Sequence, residues 1–238
     1  MPKKSKVKEE LKETLRKAKE NRVTTVVNFI LDKSGSMEGM KEAVVSGFNE
    51  YVDSMRKKKD ILFSFTLFDS DEIEKRYIAE PIQTVVPLTK DSYVPNALTP
   101  LYDAICSTVK DTEKKLEEDN KKYASLVVIM TDGMENSSSQ YNLQDFLALK
   151  KRLEAKGNWT FVFMGANQDA WATASQWGIS QGNTLSWQAN NAGYSSAIRS
   201  LGHATANYAV SMSASAGVSG SGKLNSDNFF SSTKDKNK

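Results

Sequence analysis

The chain has 238 residues, which suits one large domain or two small ones and is ample for a single buried core. Its 32 Lys and Arg residues slightly exceed its 29 Asp and Glu residues, and the net charge of +3 is too small to indicate nucleic-acid binding by the chain as a whole. The hydrophobic fraction of 39% and the charged fraction of 26% are ordinary for a soluble globular protein.

Two features of the sequence bear on where the protein is found. Cys106 is the only cysteine, which excludes an intrachain disulfide and a cysteine-based metal site and fits a reducing compartment. Residues 1–22 lack the apolar stretch of a secretory signal, and no run approaches the roughly 18 apolar residues that cross a bilayer. We therefore expect a cytoplasmic protein that does not enter a membrane.

Residues 1–22 predict a basic helical arm. Segment 3–22 holds nine basic residues against four acidic residues, and Val7, Leu11 and Leu15 form a narrow apolar stripe at helical spacing. We interpret the arm as a solvated helix. The alternative is that it docks on an acidic partner or on a nucleic acid.

Strands alternate with helices from residue 23 onward. Continuous runs of β-branched and apolar residues predict strands at 23–31, 61–68, 124–131, 159–165 and 184–187, with one or two edge strands over 75–86 that Pro81 interrupts. Amphipathic spacing predicts helices over 40–57, 99–118, 143–156, 169–177 and 191–212. The alternation predicts an α/β domain over residues 23–213: a Rossmann-like, doubly wound, mostly parallel sheet with one antiparallel edge strand and helices on both faces.

Residues 214–238 predict a flexible tail that is rich in serine and glycine and then polar. The stretch 211–222 holds five Ser and three Gly residues, a linker composition, and the residues after it are polar apart from Leu224, Phe229 and Phe230. We interpret the two phenylalanines as incidental aromatics in a disordered segment. A short docking motif is the alternative.

The carboxyl ends of the strands are where open α/β sheets bind ligands. The first strand ends in Asp32-Lys33-Ser34-Gly35-Ser36, which places three side-chain oxygens at a spacing of two residues on a tight loop. One carboxylate and two hydroxyls form a hard oxygen set that suits Mg²⁺ or Mn²⁺ better than Ca²⁺. The alternative is that these side chains only cap the next helix.

Two further oxygen-bearing side chains are predicted at the same edge. Thr99 precedes a proline at the start of a helix, where it is either an N-cap or a third hydroxyl for the ion. Asp132 follows a buried strand, and Gly133 lets the chain turn sharply after it. Since two bare carboxylates repel each other, a cation between Asp32 and Asp132 is a natural partner. We expect Asp32 and Ser34 to lie on the exposed edge of the sheet.

Taken together, these elements resemble the complete metal-ion-dependent adhesion site of the von Willebrand factor A (vWA) family in order, spacing and strand context. The residues that carry the resemblance are Asp32, Ser34 and Ser36 of a D-x-S-x-S loop, Thr99 before a helix, and Asp132 of a T-D-G turn. The flanking sequences LDKSGSM, TPLYDAI and TDGMENSS resemble the stand-alone bacterial or phage branch of the family.

The resemblance implies a role for each residue. Asp32 and Asp132 would bind one divalent cation through water, Ser34 and Ser36 directly, and Thr99 directly in the ligand-bound state. Mg²⁺ is the ion expected, with Mn²⁺ and Ca²⁺ as alternatives, and its open position would take an Asp or Glu of a partner protein. Further residues expected around the ion or against the partner, each otherwise an ordinary loop residue, are Gly35, Met37, Asp69, Gly133, Glu135 and Asn136.

The sequence therefore predicts a metal-dependent protein-binding module that is monomeric and not an enzyme. The second aspartate that a haloacid-dehalogenase phosphatase needs is replaced by Ser34, and no phosphate-binding glycine loop follows a strand. The only histidine, His203, falls in the last predicted helix, where nothing places it in a catalytic triad. Two alternatives stay open: a metal-dependent hydrolase at the same edge, and a nucleic-acid-associated protein that uses the basic arm.

Overall fold

The computed structural model describes residues 23–58, 60–119, 122–166, 170–215 and 227–231, together with Glu9 and Glu13. The predicted arm over residues 1–22, apart from Glu9 and Glu13, lies outside the described residues. Most of the predicted tail over 214–238 lies outside them as well.

Six strands form one sheet in the order β3–β2–β1–β4–β5–β6. The strands are β1 Thr24–Asp32, β2 Ile61–Phe68, β3 Ile73–Pro81, β4 Tyr123–Thr131, β5 Trp159–Ala166 and β6 Thr184–Trp187. The β2–β3 pair at one edge is antiparallel, and the other four neighbouring pairs are parallel. The prediction of a mostly parallel sheet with one antiparallel edge strand is confirmed.

In the described part of the chain, five α-helices cover both faces of the sheet, as predicted. They are α1 Lys41–Arg56, α2 Leu101–Asp119, α3 Leu143–Glu154, α4 Ala170–Gln176 and α5 Asn191–Ser215. On one face, Phe48 of α1 and Ile198 of α5 pack in one apolar core with Phe29 of β1. On the other face, α2, α3 and α4 pack in a second core with Ile30, the next residue of β1. No helix in the described ranges combines the length and the apolar character that a bilayer crossing requires.

The edge strand ends earlier than the sequence predicts. β3 stops at Pro81, and the chain continues as a short 3₁₀ helix, Ile82–Thr84, rather than as a second edge strand. Proline has no N–H to donate to a neighbouring strand, so the ladder ends where it occurs.

The parallel pairing of β1 with β4 places the predicted ligands at one edge of the sheet. Leu31 lies beside Met130, so Asp32 at the end of β1 is level with Thr131 at the end of β4, and Asp132 follows directly. Parallel strands joined by helices bring all their carboxyl ends to one side. The fold therefore brings together two segments that are 100 residues apart in sequence.

The interpretation of Phe229 and Phe230 as incidental aromatics is wrong. Both side chains are buried and belong to the core under α5, where Phe229 meets Tyr208 edge to face. The backbone N–H of Phe229 donates to Asn183 Oδ1 at 2.9 Å, and that of Phe230 donates to the carbonyl oxygen of Gly182 at 2.8 Å. Composition alone predicted disorder because it does not show that the rest of the domain has an apolar surface on which these two side chains pack.

The close approach of this segment depends on Gly182. A Cβ atom at Gly182 would lie 2.1 Å from the carbonyl oxygen of Asp227, closer than any real contact. The same carbonyl accepts a hydrogen bond of 2.7 Å from the Ser180 hydroxyl. The residues before β6 and the segment 227–231 therefore form one docked unit.

Replacing Phe230 with alanine should lower the free energy of unfolding by about 3 kcal/mol, because it empties a buried aromatic site. Urea unfolding followed by far-UV circular dichroism measures the loss. The matched control is Val210→Ala on α5, where the side chain is 64% exposed and the change should stay within about 0.5 kcal/mol. Equal urea midpoints for Phe230→Ala and the wild type would contradict the docking of this segment.

Candidate metal centre

Four of the five predicted ligands are joined by hydrogen bonds. The Ser36 hydroxyl donates to Asp132 Oδ1 at 2.6 Å, and the Ser34 and Ser36 hydroxyl oxygens are 3.2 Å apart. The backbone N–H of Ser34 donates to Asp32 Oδ1 at 2.7 Å. The loop after β1 and the turn after β4 therefore converge on a single site.

The fifth predicted ligand, Thr99, lies at the same place. An ideal Cβ at Gly133 would be 3.2 Å from Thr99 Oγ1 and 3.8 Å from Asp32 Oδ2. The Thr99 hydroxyl and the Asp32 carboxylate therefore both lie near the space that a side chain at position 133 would occupy, and a larger residue there would crowd them. All five predicted oxygen-bearing side chains are brought together.

Asn136 fixes the position of Thr99. The N–H of Thr99 donates to Asn136 Oδ1 at 2.8 Å, and the N–H of Asn136 donates back to the Thr99 carbonyl at 3.2 Å. Neighbouring Glu135 accepts a hydrogen bond of 3.0 Å from the N–H of Tyr102, in the first turn of α2. Both residues therefore act on the loop that carries Thr99 and not as ligands themselves.

Asp69 lies beside the site but is directed away from the ligands. Its carboxylate is buried, accepts hydrogen bonds of 2.9 Å from the N–H groups of Asp71 and Glu72, and lies 3.2 Å from Lys33 Nζ. Lys33 is thereby paired with Asp69 rather than with Asp32. Asp69 therefore orders the β2–β3 turn and pairs with Lys33, the basic residue of the loop after β1.

Gly35 and Met37, which the sequence predicts near the ion or the partner, stabilise the loop after β1. The N–H of Gly35 donates to the Ala97 carbonyl at 3.2 Å, which links the loop after β1 to the loop that leads to Thr99. Met37 is fully buried in the core beneath the site. Ala97 has a left-handed backbone, with φ of 56°, an uncommon conformation for a residue with a side chain.

Sequence reasoning missed three residues that support the site. The buried Tyr93 hydroxyl donates to the backbone carbonyl of Asp32 at 2.8 Å, and Thr131 donates to Asp32 Oδ2 at 2.5 Å. The buried carboxylate of Asp103 accepts hydrogen bonds from the backbone between residues 139 and 141. Thr131 had a visible signal, since it ends an apolar strand directly before an aspartate. Tyr93 and Asp103 had none, because their partners are distant in sequence.

The expectation that Asp32 and Ser34 lie on an exposed edge is wrong. They are 0% and 2% exposed, whereas Ser36 is exposed and Asp132 is partly buried. The loop after β1 turns back over the sheet, and Met37 anchors it to the core. Asp32 and Ser34 thus form the floor of the site, and Ser36 and Asp132 lie nearer its opening.

Burial makes the two carboxylates reluctant to ionise. It raises the pKa of Asp32 to about 6, against the opposing effect of the hydrogen bonds from Thr131 and Ser34, and the nearby Asp132 raises it further. Burial also raises the pKa of Asp132, against the hydrogen bond from Ser36. Among the described residues, no Lys, Arg or His forms an ion pair with either carboxylate.

This donor set fits a divalent cation. It contains two carboxylates and three hydroxyls, all hard oxygen donors, around carboxylates that lack a neutralising side chain. The described residues form no cluster of three or more His, Cys, Asp or Glu side chains, so a soft or carboxylate-rich site is not present in them. A hard dication would supply the charge that the surrounding side chains do not.

Comparison with known proteins identifies the fold. No family model and no curated protein matches the sequence. Among solved structures, the chain is similar to the vWF domain of the type V pili tip protein Mfa5 from Porphyromonas gingivalis, with a TM-score of 0.54 and 10% identity over 79% of this chain and 96% of that one. The chain has the vWA fold. Manganese-loaded TRAP protein from Plasmodium vivax is also similar, with a TM-score of 0.53 and 17% identity over 75% of this chain and 72% of that one.

A longer protein is also similar in structure to this chain. Proximal thread matrix protein 1 of the mussel byssus matches with a TM-score of 0.53 and 15% identity over 77% of this chain. This chain covers 46% of that protein, about half of its length. At such identities the likeness establishes the vWA fold alone, and the case for a metal site rests on the residues of this chain.

Gly133→Ala should weaken Mg²⁺ binding by about tenfold or more, because the added methyl group crowds the Thr99 hydroxyl. Isothermal titration calorimetry measures the affinity. Gly39→Ala is the matched control, since a Cβ at Gly39 would have no atom within 4 Å. If Gly133→Ala and Gly39→Ala both bind Mg²⁺ as the wild type does, Thr99 is not part of the site.

Proposed function

We propose that the chain is a protein-binding module whose binding depends on one divalent cation. The residues that would hold the ion are Asp32, Ser34, Ser36, Thr99 and Asp132. The observation that carries the proposal is their convergence. Five oxygen-bearing side chains from three loops meet at one place, and neither the buried carboxylate of Asp32 nor the partly buried carboxylate of Asp132 has a basic partner among the described residues. Mg²⁺ is the proposed ion, with Mn²⁺ and Ca²⁺ as alternatives.

The chemistry of the donors explains why a partner would be needed. Asp32 and Asp132 balance the charge of a dication, whereas the three hydroxyls are neutral and weak donors. Because a hard cation prefers carboxylate oxygens to hydroxyl oxygens and needs about six ligands, a bound ion could still take one more carboxylate. An Asp or Glu of a partner protein meets that need, as the resemblance to the metal-ion-dependent adhesion site implies.

The structure indicates the side from which a partner would approach. Asp32 and Ser34 are buried at the floor, whereas Gly35 and Ser36 are exposed. Gly133 leaves open the space that a side chain would fill. The side of the site lined by Gly35, Ser36 and Gly133 is therefore the approach that we propose.

The histidine and the cysteine, the two side chains best suited to nucleophilic or acid–base catalysis, do not lie at this site in reactive positions. His203 is exposed on α5, where it lines a groove of about 300 Å³ between α5 and the second half of α1. The candidate metal centre lies near the opposite, N-terminal end of α1. Cys106 is buried, and burial raises the pKa of its thiol to about 12, so it is not a ready nucleophile. These positions favour a binding module over the alternative of a metal-dependent hydrolase.

Three features stay predictions from the sequence. These are the cytoplasmic location, the bacterial or phage origin and the monomeric state. The alternative role in nucleic-acid association depends on the arm over residues 1–22, most of which lies outside the described residues.

A similar structure supports the choice of a divalent ion. The TRAP protein from Plasmodium vivax, which is similar in fold to this chain, is manganese-loaded.

Titration of the full chain with Mg²⁺ and Mn²⁺, in parallel with Asp32→Asn, tests the metal site. We expect one ion per chain for the wild type and no measurable binding for Asp32→Asn. The variant should keep its circular dichroism spectrum, because asparagine fills the same volume and removes a buried charge that no basic side chain neutralises. Asp91→Asn, which makes the same change at an exposed carboxylate, should bind as the wild type does.

Two outcomes would contradict this proposal. Undiminished binding by Asp32→Asn would place the ion elsewhere on the chain. A folded wild type that binds neither ion at millimolar concentration would remove the metal from the function.

A further inference from the structure

Two large apolar side chains are exposed next to the proposed metal ligands. Leu98, directly before Thr99, is 53% exposed, and Met134, two residues after Asp132, is 71% exposed. Few large apolar side chains of the described residues are exposed to this degree. The position of these two beside ligands from two different loops points to a function at the site.

The loops that carry Leu98 and Met134 are held together by hydrogen bonds beside the predicted ligands. The reciprocal hydrogen bonds between Thr99 and Asn136 join the loops, and a Cβ atom at Gly133 would lie 3.2 Å from the Thr99 hydroxyl oxygen. Leu98 and Met134 are therefore each adjacent in sequence to a residue, Thr99 or Gly133, that lies at the site.

The charges around the opening restrict the kind of partner. Lys33, the basic residue within the loop after β1, is paired with Asp69 and is mostly buried. Glu38 in the same loop is exposed, and Glu135 lies partly exposed beyond Met134. A cation balanced by Asp32 and Asp132 leaves this surface without a surplus of positive charge. A segment with several acidic residues would be repelled, whereas one carboxylate between apolar side chains would not.

We propose that Leu98 and Met134 form an apolar rim that selects partner segments in which the ion-binding Asp or Glu is flanked by large apolar residues. The proposal rests on the proposed metal-dependent function and adds the chemical class of the partner. The ion would hold the carboxylate, and the rim would bury the apolar neighbours and discriminate between carboxylate-bearing segments.

Three capped pentapeptides test the rim on the full chain with saturating Mg²⁺. Their sequences are Gly-Leu-Glu-Leu-Gly, Gly-Ser-Glu-Ser-Gly and Gly-Glu-Glu-Glu-Gly. Titrations followed by ¹H–¹⁵N correlation spectra measure affinities down to the millimolar range. We expect the leucine-flanked peptide to bind about tenfold more tightly than the serine-flanked one, because it buries more apolar surface, and the triple-glutamate peptide to gain nothing from its added charge.

The double variant Leu98→Ser, Met134→Ser should bind Mg²⁺ as the wild type does and lose the preference between the first two peptides. Val210→Ser is the matched control, because Val210 is an exposed apolar residue on α5 and the same change there should keep the preference. Calorimetry with Mg²⁺ alone provides the readout for the metal site.

The outcomes separate this inference from the function on which it rests. If the wild type binds no Mg²⁺, the proposed function fails. If it binds Mg²⁺ but prefers the triple-glutamate peptide, binds all three equally or binds none, only the rim is overturned. A preference for leucine that survives in the double variant also overturns the rim.

Discussion

The parallel pairing of β1 with β4 is the constraint on which the candidate site depends. It brings the carboxylates of Asp32 and Asp132 to one edge of the sheet, next to apolar strands that offer them no counter-charge. Hydroxyl donors from Thr131 and Ser36 only partly offset the burial of the two groups. Two carboxylates that are close together and partly desolvated are unfavourable by themselves. A bound dication would supply the positive charge that stabilises them.

The loops around this edge are held mainly by hydrogen bonds that involve the backbone. Tyr93 is bonded to the carbonyl of Asp32, Gly35 to that of Ala97, and Asn136 to both backbone groups of Thr99. Such bonds fix where the loops lie and do not use the side-chain oxygens of the predicted ligands. The vWA fold supplies the edge, and these local bonds determine the geometry at it.

The sequence predicted the strands and helices well because their signals are local. Four apolar runs gave the central strands to within one residue at each end, and spaced oxygen-bearing side chains marked the candidate ligands. The burial of Asp32, the link between Asn136 and Thr99 and the docking of Phe229 each depend on residues that are distant in sequence. Composition and periodicity carry no information about such pairs, so these features became visible only in the folded chain.

The packing of Phe229 and Phe230 against the core determines where this protein can be truncated. A chain cut at residue 213, where the sequence alone places the end of the domain, would lose two buried aromatic side chains and uncover the apolar surface beneath α5. That surface would attract unrelated proteins and favour aggregation. Binding measured with such a fragment would then reflect the newly exposed apolar surface and not the function of the protein. A bulky fusion directly after residue 231 would also disfavour the packing of Phe229 and Phe230 against the core.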